Sequence, residues 1–115
     1  TYAGLPDSKY HALTKKYAPL GFGAVFTFGV AGGYDAAKRM VEALRYFRHV
    51  ANIGDTRSLI IPPASTTHHQ LSPEHQERVG VKPEGVRVSI GLEHPDDIIA
   101  DLDQALSAAK RAKAA

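Results

Sequence analysis

The sequence of 115 residues contains no cysteine. That absence excludes a disulfide framework, a thiolate metal site and a cysteine nucleophile, and it fits a chain kept in a reducing compartment, with the cytoplasm as the expected location. No apolar run approaches the ~20 residues a membrane-spanning helix needs, and the N-terminus has no basic-then-apolar signal pattern, so a soluble chain with no membrane partner is expected. Nor is there a strong charge of one sign. Fourteen Lys and Arg face twelve Asp and Glu, for a formal net charge of +2, and no basic run marks one element, so a nucleic-acid partner is not expected. The chain opens at Thr1 without an initiator Met and runs at once into patterned sequence, which suggests a piece of a longer polypeptide.

What is present suffices for one domain. With 43% hydrophobic and 23% charged residues, the chain can form a single core, burying roughly 60–70% of the surface the unfolded chain exposes. Ser8 is placed to cap a helix from about Lys9 to Tyr17, with Tyr10, Leu13 and Tyr17 on one stripe. Ala24 to Val30 alternates like a strand whose Ala24, Phe26, Phe28 and Val30 share an apolar face. Tyr34 to Phe47 reads as an amphipathic helix, its stripe formed by Tyr34, Ala37, Val41 and Leu44 with Met40 and Phe47 beside them. Two β-like runs follow, His49–Asn52 and Arg57–Ile61, and Gly54-Asp55 between them is a turn signal for an antiparallel pair.

Pro62-Pro63 then opens a polar loop to Leu71. Ser72-Pro73 starts a short helix that Gly80 ends. Val86 to Leu92 places Val86, Val88, Ile90 and Leu92 on one face, and Arg87, Ser89 and Gly91 on the other. The last helix opens at Pro95 with Asp96-Asp97, turns Ile98, Ile99, Leu102 and Leu106 inward, and ends in Lys110, Arg111 and Lys113. About four strands and four helices, with no repeat and no linker, point to an α/β (α+β) two-layer sandwich: a small, mostly antiparallel sheet with helices on one face. The second sheet face, which carries Arg87, is left to meet something else.

Arg87 is the residue with chemical promise, a lone cation inside an otherwise apolar strand. It is either a solvent-facing arginine or a guanidinium fork aimed at an anion, a task that suits arginine geometry better than lysine. His68-His69 and His75 lack a third ligand at a recurring spacing, so no metal site is expected. Gly21, Gly23, Gly29, Gly32 and Gly33 match neither the dinucleotide nor the P-loop pattern. Ser58, Ser65 and Ser89 lack a nucleophile elbow or paired base, and Asp96-Asp97 is explained as helix N-terminal charge. Lys38 and Lys82 read as surface lysines.

At Ala51-Asn52-Ile53-Gly54-Asp55-Thr56-Arg57-Ser58-Leu59, at Pro63-Ala64-Ser65-Thr66-Thr67-His68 and at Val86-Arg87-Val88-Ser89-Ile90-Gly91-Leu92-Glu93, the chain resembles the pyridoxal-phosphate (PLP) enzymes of cysteine and methionine metabolism. Tyr2-Ala3-Gly4-Leu5-Pro6, Gly21-Phe22-Gly23, Gly80-Val81 and Asp96-Asp97-Ile98-Ile99-Ala100-Asp101-Leu102 extend the match to nearly the whole chain. Cystathionine synthases and lyases usually carry Ser-Leu-Gly where this chain has Asn52-Ile53-Gly54, and the asparagine version resembles the O-acetylhomoserine sulfhydrylases. Family sequences often have His-Pro where Pro62-Pro63 stands.

The resemblance implies that residues 1–115 are the C-terminal small domain of a fold-type-I PLP enzyme, its large PLP-binding domain lying upstream and outside this chain. It implies that Arg87 binds the substrate α-carboxylate, that Asn52 is a second polar contact near that carboxylate, and that Thr67 lies beside the active-site cleft. The Schiff-base lysine, the phosphate-cradling residues and the aromatic ring that stacks on the cofactor belong to the large domain. No catalytic or cofactor-binding residue is therefore assigned here, and the chain alone is expected to be inactive. The implied reaction is γ-replacement on O-acetyl-L-homoserine by sulfide or methanethiol, giving homocysteine or methionine. The implied partners are the chain's own large domain and further copies of the enzyme, a homo-oligomer that is a tetramer in the family. Cystathionine γ-synthase and methionine γ-lyase are the neighbouring alternatives, and a non-catalytic module that binds a small carboxylate is the alternative of a different class.

Overall fold

The computed structural model describes residues 1–111; Lys113, expected at the basic end of the last helix, lies outside them. Three strands, β1 (Val25–Gly29), β2 (Leu59–Ile61) and β3 (Gly85–Ser89), form one sheet in the order β1-β3-β2, with β3 antiparallel to both neighbours. The last strand in sequence is thus the central one. The register aligns Phe26, Val88 and Ile60 across one face, and Thr27, Arg87 and Ile61 across the other. Among the described residues there are four α-helices, α1 (His11–Tyr17), α2 (Gly33–Ala43), α3 (Pro73–Arg78) and α4 (Pro95–Arg111), with a short 3-10 turn at Pro63–Ser65.

Helices α2 and α4 pack on each other and on the Phe26-Val88-Ile60 face, which makes the two-layer sandwich that the alternation and the helix stripes require. Ala36, Ala37, Met40 and Val41 from α2 meet Ile98, Ala105 and Ala109 from α4 over Val86, Val88 and Ile60. Small residues at Ala36, Ala37 and Ala105 let the two helices approach closely, and Met40 fills the space over the sheet. The second sheet face is only partly open. Leu59 and Ile61 point to it yet are buried, while Thr27 stays exposed and Arg87 half-exposed.

Several elements differ from the sequence reading. The run at His49–Asn52 is not a strand: only Arg48 bridges to Leu59, in parallel, and Val50 and Asn52 donate to carbonyls two residues back, at 3.0 and 3.2 Å, so the segment curls instead of extending. The sheet therefore has three strands rather than four. Helix α2 stops at Ala43, not Phe47, because Leu44 turns extended (φ −69°, ψ 143°) and the carboxylate of Asp101 on α4 captures the next main-chain donors. Arg45 N–H reaches its two oxygens at 3.0 Å each and Tyr46 N–H one of them at 2.8 Å.

Helix α1 begins at His11 and is not capped by Ser8, whose hydroxyl instead accepts from Tyr10 N–H at 3.3 Å in a preceding turn. Its stripe of Tyr10, Leu13 and Tyr17 is exposed, and no α1 residue is buried. Strand β3 ends at Ser89, so Leu92 leaves the core face and lies 83% exposed. On α4, Ile98 is buried but Ile99 is 62% exposed. Helix α3 does start as expected: Ser72 Oγ accepts from His75 N–H, with Pro73 in the first turn.

Candidate functional site

Arg87 sits mid-way along the central strand, between Thr27 of β1 and Ile61 of β2. Because Val86 and Val88 are locked into the core at 1% and 0% exposure, the period of two forces Arg87 onto the opposite face. Its Nη2 donates to the main-chain oxygen of Asn52 at 3.4 Å, a long bond that orients the guanidinium while leaving most of its five N–H donors uncommitted. Among the described residues no carboxylate pairs with it.

Asn52 stands on the loop between α2 and β2, and it meets Arg87 through its backbone. Its side-chain Oδ1 accepts from Ile53 N–H at 2.9 Å, and the side-chain amide remains available. The loop then turns at Gly54, whose φ of +79° suits glycine. Asp55 closes the turn by accepting from Arg57 N–H at 2.9 Å. That backbone bond, with the Arg57 charge and the Thr56 hydroxyl, holds the Asp55 carboxyl below its usual value.

The same loop is fastened to the chain that leaves β3. Ser89 Oγ accepts from Gly54 N–H (3.4 Å), Leu92 N–H donates to Thr56 O (2.8 Å), and Ser58 Oγ accepts from Gly91 N–H (3.0 Å). Glu93 receives both donors of the fully buried Ser58, its N–H at 2.7 Å and its hydroxyl at 2.8 Å. Desolvation opposes ionisation of Glu93, but the two Ser58 bonds, with one from its own backbone, hold the carboxyl below its ordinary value.

Thr67 follows the 3-10 turn. Thr66 Oγ1 donates to Pro62 O at 2.8 Å, and Gln76 from α3 donates to Ala64 O at 2.9 Å and to His68 O at 2.8 Å, so this polar loop has a fixed shape. The Thr67 hydroxyl lies 2.8 Å from His68 Nδ1. Thr67 and Arg87 line one open cleft of about 480 Å³, together with Thr27, His68, Lys82 and Glu84. Asn52 touches this site only through its bond to Arg87.

Lys82 and His68, read from sequence as a surface lysine and a loop histidine, share that cleft with Arg87. The signal for Lys82 was its place just ahead of β3, on the turn that feeds the arginine strand. Glu93 and Ser58 carried no local signal, since their partnership spans 35 residues. These histidines bond locally, His69 Nδ1 to Thr66 O in the loop and His75 Nδ1 to Ser72 Oγ in the first turn of α3. Among the described residues no group of three or more His, Asp or Glu converges as a metal site would. No helix among them is long and apolar enough to cross a membrane.

The cleft lining sets one guanidinium fork, one lysine and the threonines Thr1, Thr27 and Thr67 against a single carboxylate, Glu84, a set that can pair with a small anion. Residues 1–107 match the family described as "Cys/Met metabolism PLP-dependent enzyme". The chain belongs to that family. It is 55% identical over 106 residues to O-acetyl-L-homoserine sulfhydrylase 1 of Thermus thermophilus, covering 92% of this chain and 25% of the relative.

A crystal structure assigned as an O-acetylhomoserine (thiol)-lyase from Campylobacter jejuni, carrying a pyridoxyl-lysine monophosphate, superposes with a TM-score of 0.84 at 44% identity over 92% of this chain and 25% of that one. Cystathionine γ-synthase from Xanthomonas oryzae pv. oryzae, in complex with cystathionine, gives 0.87 at 36% identity over 96% and 28%. The fold is thus that of one domain of the fold-type-I PLP enzymes. This chain spans about a quarter of the length of such family members. Its own residues do not fit PLP itself. The helix bordering the cleft, α3, presents its carboxyl end at Val79 and Gly80, the wrong polarity for a phosphate.

Proposed function

We propose that this chain is the C-terminal substrate-binding domain of a PLP-dependent γ-replacement enzyme, which makes homocysteine or methionine from O-acetyl-L-homoserine and sulfide or methanethiol. The observation that carries this reading is Arg87: a half-exposed cation, fixed on the central strand and opening into a cleft beside Thr67. The subfamily reading is supported by the relative of 55% identity, a sulfhydrylase of O-acetyl-L-homoserine. The large domain supplies PLP, which serves as the electron sink for reactions at the amino acid's carbon atoms.

The part played by this chain is orientation. A carboxylate held by two parallel guanidinium bonds cannot rotate freely, so the remaining bonds at the α carbon keep one direction relative to whatever lies across the cleft. Asn52 is the second polar contact near that carboxylate, held beside the cleft by its backbone bond to Arg87, and Thr67 forms part of the wall beside the substrate. Lys82 adds positive potential at the cleft and favours entry of an anionic substrate.

In the complete enzyme, Arg87→Ala is expected to cost about 2–5 kcal/mol in kcat/KM, the range for removing one side of a desolvated charge pair. Arg87→Lys, which keeps the charge and loses the fork, should recover part of that. Unchanged steady-state kinetics in both variants would mean that Arg87 only faces solvent. The likeness to the cystathionine-bound synthase favours a second reading, in which cysteine is the nucleophile. Turnover with cysteine in place of sulfide would select it, and release of ammonia with an α-keto acid would identify a lyase instead.

A further inference from the structure

The Arg87 grip has a support that lies wholly outside the cleft. Arg87 is steadied by the Asn52 carbonyl, and the position of that carbonyl depends on the 52–58 loop, which has no regular structure of its own. What holds the loop is the seam to residues 89–93. At its end is a carboxylate bonded to both donors of a residue with no solvent exposure, Glu93 on Ser58. The Ser58 hydroxyl in turn accepts from Gly91 N–H, so it is saturated from both sides.

The seam is also tight. A Cβ on Gly91 would collide with the Thr56 carbonyl oxygen and stand 2.5 Å from the Arg57 carbonyl carbon, leaving the loop no slack against the strand.

We infer that Glu93 is a positioning residue for substrate binding, acting through Ser58 and the Asn52 loop to set the direction of the Arg87 guanidinium. A carboxylate spent on two hydrogen bonds inside a protein is a rigid anchor, because breaking it strands two buried donors. The chain of contacts runs Glu93, Ser58, loop 52–57, Asn52 O, Arg87, and each step is a bond or a covalent neighbour. Losing the anchor frees the loop, and the fork then samples directions that do not match a carboxylate. This inference rests on the reading of Arg87 as the carboxylate grip.

The test is a double-mutant cycle in the complete enzyme with Glu93→Gln, Arg87→Lys and the pair, reading KM for the amino-acid substrate, kcat and the thermal unfolding midpoint separately. Glu93→Gln keeps the size of the side chain and one acceptor, and the unfolding midpoint reports whether the fold is retained. Glu93→Asp, which keeps the charge, supplies the same cycle if the amide variant fails to fold.

The expected result is a raised KM for the Glu93 variant and a double variant less impaired than the product of the single effects by about fivefold, the size of coupling within one hydrogen-bond network. A lowered unfolding midpoint with KM unchanged, or effects that multiply without coupling, would make Glu93 purely structural and overturn the inference. Should Arg87→Lys alone leave KM unchanged, the carboxylate reading itself fails and the inference with it.

Discussion

Two buried or half-buried carboxylates organise this chain, and both do so by accepting main-chain donors. Asp101, 3% exposed on α4, accepts from the N–H groups of Arg45 and Tyr46 and from the side-chain amide Nε2 of Gln104 at 2.9 Å. Truncation to Ala would strand those donors beneath α4, so Asp101→Ala is expected to lower stability by about 3 kcal/mol, measured as a shift in the urea midpoint of this domain. Glu93 leads to a statement about pH. Its carboxyl is held below its ordinary value of 4.5, so the ionised form favours the folded state. That contribution is fully present above about 4.5, the unfolded value, and is lost as pH falls through the lowered folded value. Asp55 behaves alike from an ordinary value of 3.8. Between pH 6 and pH 3 the unfolding midpoint should therefore drop, and in Glu93→Gln that drop should be shallower than in the parent when both are scanned across this range.

At the scale of elements, the seam between loop 52–58 and residues 89–93 is the most sensitive to a single added atom. Gly91→Ala places its methyl against main-chain atoms of Thr56 and Arg57, which cannot rotate away. A loss of about 3 kcal/mol is expected, accompanied by a higher KM because the displaced loop carries Asn52. Denaturant unfolding together with kinetics checks both. The elements themselves were legible in sequence where one face met the core. Val86 and Val88 alternate around Arg87, and the period of two was enough to place all three.

Legibility failed where a distant partner decided the outcome. The end of α2 is set by Asp101, more than fifty residues away. The β-like composition of His49–Asn52 lost to local turns that the strand pattern does not encode. Leu92 was placed on the core face by strand alternation and Ile99 on the inward face of the last helix, and their exposure reflects the departure of the chain from the sheet at Ser89 and the orientation of α4. At the site, Arg87 stood out on its strand, whereas Asn52 and Thr67 entered only through family resemblance. Glu93 as an anchor was invisible without the fold.

For the whole molecule, the sandwich does two jobs with one strand. The inward side of β3 is core, and the outward side carries Arg87, the proposed carboxylate grip, so any substitution that shifts the register of β3 would lose both. The apolar stripe of α1, with Leu13 and Tyr17 at 53% and 72% exposure, and the half-open second sheet face are surfaces a lone domain would have little use for. Both accord with a chain that is one part of a larger enzyme.

The measurement that tests this most directly is the mass of the native polypeptide in its source cells, detected with an antibody against this chain and followed through purification alongside PLP absorbance. The expected result is a band roughly four times the 12.4 kDa of this chain, given a span of 25% of its sulfhydrylase relative, co-purifying with PLP. A single band at 12.4 kDa, free of PLP, would contradict it and leave a small-carboxylate-binding module in place of an enzyme domain.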